Sequence, residues 1–119
     1  MSDRELLEAA ARAAGMVIGF EASQCFYSEH GTYGAGMYCL NERGDISSRW
    51  NPLTDDGDAL RLAALLEIDI EFHVNVEAIA WGRWEDGEQR HVFQEPGLST
   101  SATRRAITRA AAAIGAKDE

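Results

Sequence analysis

Leu6, Leu7, Ala10 and Ala14 recur at helical spacing and predict an amphipathic helix at the start of the chain. Ser2 supplies an N-cap, Asp3 and Glu5 fall in the first turn, and Gly15 stops the helix. The apolar run over residues 16–22 predicts a first strand. Gly31, Gly34 and Gly36 make residues 23–36 a loop or an irregular hairpin, and residues 37–40 predict a second strand that ends in a turn at 41–45.

The next stretch, Trp50-Asn-Pro-Leu-Thr-Asp-Asp-Gly-Asp-Ala-Leu-Arg-Leu-Ala63, organises the rest. Pro52 disfavours helix at Asn51 and holds an extended or turn conformation there. Thr54 or Asp55 can cap a helix whose first turn carries Asp55, Asp56 and Asp58, where negative charge meets the positive helix end. Ala59, Leu62, Leu65 and Leu66 form its apolar face.

Beyond it, Ile70, Phe72, Val74 and Val76 alternate with Asp69, Glu71, His73 and Asn75, predicting one strand with a buried face and a wet, acidic one. Residues 77–81 continue as another strand, Asp86-Gly87 marks a hairpin turn within 84–88, and residues 89–94 return as the last strand. Pro96-Gly97 ends it. Residues 99–101 then cap a C-terminal helix with Ala102, Ala106, Ile107, Ala110 and Ile114 inward and Arg104, Arg105 and Arg109 outward. The order α-β-β-α-β-β-β-α predicts an α+β fold: three helices on the two faces of a mostly antiparallel sheet of about four to five strands. A sheet with one open face is the competing arrangement, and the polar alternation over 69–75 argues for it.

Length makes residues 1–119 a single domain. Apolar content of 45% and charged content of 26% exclude a disordered chain. Net charge changes the picture more. The total is −9, of which residues 55–95, with 11 acids and three arginines, carry −8. That field disfavours direct binding to nucleic acid or anionic membranes and favours basic protein partners. No window reaches the apolar length of a membrane span, and the polar N-terminus lacks a signal-peptide core, so a cytoplasmic location is expected. Cys25 and Cys39 have no metal-like spacing. Free, half-buried thiols are the default in a reducing cytosol, and a disulfide requires that their segments pair as adjacent strands.

The candidate chemistry is thin. Asp55, Asp56 and Asp58 offer hard oxygen ligands but lack a calcium-loop spacing, and a helix cap already accounts for them. His30, His73 and His91 form no ligand pair by spacing; His73 and His91 would meet only if strands 68–75 and 89–94 were neighbours. Cys25 and His30 lack a third orienting group, and the glycines of 31–36 precede a strand rather than a phosphate-binding helix. No enzyme, catalytic residue, metal or cofactor is expected. Trp81 and Trp84 cannot both point one way along a regular strand, and Trp84 beside Glu85, Asp86 and Glu88 would suit an interface hot spot.

Trp50-Asn-Pro-Leu53, Asp55-Asp-Gly-Asp-Ala-Leu-Arg-Leu62 and the opening Leu6-Leu-Glu-Ala-Ala-Ala-Arg-Ala-Ala-Gly15 resemble the phage ABA sandwich domain family of small phage and prophage proteins. The resemblance covers the first helix and the central turn and helix; the acidic strands and last helix agree only in the order of elements. It implies an alpha-beta-alpha sandwich and a phage-related origin, and it supplies no catalytic residue. Charge and resemblance together make the leading expectation an accessory protein that binds a host protein with a basic, nucleic-acid-handling surface, most sharply an anti-CRISPR-like inhibitor of a defence complex. Asp69, Glu71, Glu85, Asp86 and Glu88 form the expected binding face, with the Asp55–Asp58 turn as a second patch. The alternative is a nucleotide or small-ligand sponge in which Arg104, Arg105 and Arg109 meet an acidic ligand at the interface of a homodimer; a Mg²⁺-dependent hydrolase on the Asp55–Asp58 carboxylates ranks last.

Overall fold

In the computed structural model, which describes residues 1–117, Ser2 and Glu5 close a capping box at the start of α1 (Asp3–Ala13). The Glu5 backbone N–H donates to Ser2 Oγ at 3.2 Å, and the Ser2 N–H donates back to Glu5 Oε1 at 3.3 Å. That backbone donor holds the Glu5 carboxyl below the ordinary glutamate range. Residues 16–22 form no strand: Val17 and Gly19 make backbone bonds only to Cys25, and the chain then turns back at Gln24. One bridge leaves no length for a ladder, so Val17 and Phe20 stay exposed.

Three strands follow, β1 (Cys25–Ser28), β2 (Gly36–Leu40) and β3 (Ile46–Trp50), paired antiparallel in the order β1-β2-β3. The sequence gives no periodic signal for β3, whose first three residues are exposed. It forms because Asn41 Oδ1 accepts the backbone N–H groups of Arg43 and Asp45, both at 3.0 Å, and folds the chain back onto β2.

Asp55 caps α2 (Asp56–Leu65), which buries Ala59, Leu62 and Ala63; Leu65, expected on that face, is exposed. The long strand expected through residues 69–76 is two strands, β4 (Asp69–Phe72) and β5 (Asn75–Trp81), with a tight turn at His73 and Val74. Alternation continues unbroken through this turn because Phe72 and Val76 pair directly and share a face, so the pattern cannot reveal the reversal. Val74 at the tip is 88% exposed. The last strand, β6 (Arg90–Pro96), completes a second antiparallel sheet in the order β4-β5-β6, and α3 (Thr100–Lys117) closes the fold.

The class is α+β as the patterning predicts, but the strands number six and divide into two three-stranded sheets, in the order α-βββ-α-βββ-α. On the inner face of the second sheet, Val76, Ala78 and Ala80 pack with α3 through Ala106, Ile107, Ala110 and Ala111, and with α2 through Ala59, Leu62 and Ala63. Helix α1 meets α3 through Leu6, Ala9 and Ala112 and turns Leu7 and Ala11 to Met37 and Cys25 of the first sheet. The outer face of the second sheet is left without a helix.

Candidate functional site

The central carboxylates serve the fold. Asp55 Oδ2 accepts the Asp58 N–H at 2.8 Å, and Asp58 Oδ2 accepts the Asn51 N–H at 2.9 Å while its Oδ1 pairs with Arg61. Asp56 pairs with Arg104 at 2.6 Å, and Arg104 Nε also donates to the Leu53 carbonyl. Each of the three acids is therefore held by a backbone N–H or a guanidinium, which is the helix-cap role and leaves no convergent set of metal ligands there. Arg105 pairs with Asp3 at 3.0 Å, and Arg109 pairs with Glu95 while lying 5.6 Å over the Phe93 ring. All three arginines considered for an acidic ligand thus already meet carboxylates.

Trp81 ends β5 and Trp84 lies beyond it in the hairpin, and the two part company. Trp84 is half-buried beneath the β5–β6 hairpin, packed edge-on against His91 and covered by Lys117 5.0 Å from its ring. The exposed tryptophan is Trp81, at 52%. Glu85, Asp86 and Glu88 stand exposed in the hairpin, where Glu85 and Asp86 line a cavity with Trp84 and the end of α3 rather than with Trp81. His91 pairs with Ala80 and faces inward between Trp84 and Phe93; β5 separates β4 from β6, so His73 and His91 do not meet. Cys25 and Cys39 pair directly across β1 and β2 and form a disulfide, where free thiols were expected. Cys25 points its backbone groups at Val17 and Gly19, which leaves the Cys25–Cys39 pair at a non-hydrogen-bonded position with Cα atoms 4.1 Å apart, the closer of the two antiparallel spacings. A Cys25 thiolate nucleophile beside His30 is thereby removed.

The residues that the fold does assemble lie on the outer face of β4-β5-β6. Register places Asp69, Ile79 and Val92 in one cross-strand row and Glu71, Glu77 and Gln94 in the next. Trp81 Nε1 donates to Asp69 Oδ2 at 2.7 Å, a diagonal contact that draws the indole across the row holding Ile79, which is only 3% exposed. Gln94 Nε2 donates to Glu77 Oε2. At the turn, His73 Nε2 lies 3.3 Å from Glu71 Oε2 and 3.5 Å from Glu77 Oε1. The expected Asp69 and Glu71 are on this face; Trp81, His73 and Glu77 join them, none of which was expected in the binding face. The signal was present: with a turn centred on Val74, Glu71 and Glu77 are symmetric about it and must face one another.

An opposite groove of about 420 Å³ separates α2 from β4 and the start of α3, lined by Leu60, Ile70, Phe72, Leu98 and Ile107. It accounts for the exposure of Phe72, which the alternation placed in the core. Among the described residues no helix is long and apolar enough to cross a membrane.

Fold and site define an α+β protein of two small antiparallel sheets, one of which presents an uncovered face bearing Asp69, Glu71 and Glu77 together with Trp81 and its cross-strand partner Arg90. No protein-family model matches the chain, and neither the curated proteins nor the solved structures contain a match.

Proposed function

We propose that the protein acts by binding another protein, with the outer face of β4-β5-β6 and the adjoining hairpin as the docking surface for a basic partner. The observation that carries this reading is Trp81, half-exposed and fixed by Asp69 on a sheet face that also bears Glu71 and Glu77; Glu85, Asp86 and Glu88 are exposed in the hairpin at the end of that sheet. A rigid aromatic anchor is the residue type that dominates interface energetics, and the three carboxylates of this face outweigh Arg90, the cross-strand partner of Trp81, so that the local field still steers a basic surface toward it. The acidic middle of the chain supplies that field, since residues 55–95 hold −8 of the net −9. The resemblance of residues 50–62 to small phage proteins extends the proposal to an accessory role in an infected or lysogenic cell, acting in the cytoplasm on a host nucleic-acid-handling complex. An anti-CRISPR-like inhibitor is its sharpest form, because a carboxylate face can occupy a basic nucleic-acid channel.

The test is a tagged pull-down from host lysate, washed first at low and then at high salt, with captured proteins identified by mass spectrometry. One basic, nucleic-acid-handling protein should be retained at low salt and released at high salt. Glu71→Lys combined with Asp86→Lys should weaken its capture roughly tenfold or more, and Trp81→Ala should abolish it. Capture that ignores both salt and the charge reversal would overturn the proposal.

A further inference from the structure

The turn between β4 and β5 brings together three metal-ligating side chains whose geometry the docking role does not require. We propose that Glu71, His73 and Glu77 form a binding site for a divalent first-row transition metal, with Zn²⁺ as the reference ion. The inference goes beyond the docking reading and does not depend on any partner.

Glu71 stands directly opposite Glu77 on neighbouring antiparallel strands, an arrangement of like charges that opposes pairing unless a cation lies between them. The tight turn then returns His73 over the pair. Its Nε2 is 3.3 Å from Glu71 Oε2 and 3.5 Å from Glu77 Oε1, and the three ligand atoms all lie within 4.8 Å of one another. Two ligands held about 2.0–2.1 Å from a tetrahedral ion stand about 3.3–3.4 Å apart, so two edges of the coordination triangle already have the required length. The third closes by a small rotation of Glu71, the more exposed of the two carboxylates.

Support for the ligands is in place as well. Gln94 donates to Glu77 Oε2 and so turns Oε1 toward the imidazole, the orienting role that outer hydrogen bonds play around bound metals. The Glu77 side chain is only 17% exposed, whereas Glu71 and His73 are about half-exposed, which leaves the solvent side open for water ligands. Donor chemistry selects the ion: one imidazole and two carboxylates suit Zn²⁺, Co²⁺ or Mn²⁺, while Mg²⁺ and Ca²⁺ favour all-oxygen sets and Cu⁺ favours thiolates. No free cysteine competes among the described residues.

The full-length protein, stripped with chelator, is titrated with Zn²⁺ by calorimetry in the absence of any partner. One ion per chain is expected, with affinity lowered more than tenfold by His73→Gln or Glu77→Gln and about tenfold by Gln94→Ala. Glu42→Gln, an exposed acid in the turn after β2 and outside the triad, should bind like the native chain. Because a variant can misfold, the native protein is also followed by NMR with Mn²⁺ as probe, where resonances of residues 71–77 should broaden first. Absence of binding overturns the proposal, as does full Zn²⁺ affinity in folded His73→Gln or equal competition by Mg²⁺, which would mark a diffuse acidic face.

Discussion

Asn51 is 3% exposed and spends every polar group it has. Its side-chain amide donates to the Ala35 carbonyl at 2.8 Å, its Oδ1 accepts the Leu53 N–H at 2.9 Å, and its own backbone N–H goes to Asp58. One side chain thereby ties the loop before β2, the turn at Pro52 and the start of α2. Asn51→Ala would strand the buried Ala35 and Leu53 groups, and a loss of about 2–3 kcal/mol is expected in urea denaturation. Arg49 also donates to Ala35 O, so that carbonyl keeps one partner and the loss stays below the sum of two orphaned groups. The residues that make the central stretch recognisable are thus ones that build the molecule. The residues of the proposed docking surface and metal site lie elsewhere, on a face whose side chains are held by a few contacts between strands.

At the scale of elements, the decisive contact is between α1 and α3. The alanine content of both helices is readable as closeness of packing, yet the closest point is a glycine. A Cβ on Gly115 would lie 1.8 Å from the Ala9 carbonyl oxygen, a backbone atom that cannot yield unless the helix moves. Helix propensity alone would favour Gly115→Ala by about 1 kcal/mol. Overpacking of a close backbone contact costs about 1–3 kcal/mol and more when backbone must shift, so packing wins and the net change should be a destabilisation of roughly 2 kcal/mol in thermal or urea melts. A more stable Gly115→Ala protein would mean that the two helices do not meet there. The strands tell a complementary story. In the second sheet strict alternation runs only through residues 69–76, and only the Asp86-Gly87 turn announces itself; the turn at His73 has no glycine and no proline and was hidden inside that period-two pattern. Strand β3, with polar residues at three of its five positions, exists because a turn delivers it to β2.

For the whole molecule, two features set behaviour: the disulfide across β1 and β2 and the uneven charge. Cys25 and Cys39 are 14 residues apart, and closing a loop of that size in the unfolded chain is worth about 3 kcal/mol. Reduction should lower the unfolding free energy by about that amount, read as a shift of the urea midpoint with and without a phosphine reductant. An unchanged midpoint would mean that the first sheet is held by its backbone pairing and by Met37 and Tyr38 alone. The charge field acts at longer range. Ion pairs with Asp56, Asp3 and Glu95 engage the three arginines of α3, and on the uncovered sheet face Asp69, Glu71 and Glu77 outnumber Arg90.

Much of this protein was legible in the chain alone: the α+β class, the three helices, the Ser2 cap, a cap at Thr54 or Asp55 that the structure assigns to Asp55, the Asp86-Gly87 hairpin, the acidic middle and the polar row of Asp69 and Glu71. These follow from local chemistry, since caps, helical stripes and turn residues act within four residues of themselves. Tertiary structure alone decided the rest. It split the strands into two sheets, paired Cys25 with Cys39, exposed Trp81 rather than Trp84, and set His73 over Glu71 and Glu77. Each of those outcomes depends on which strand lies beside which and in what register. Periodicity reports which face a residue occupies, and it is silent on the neighbour across the ladder.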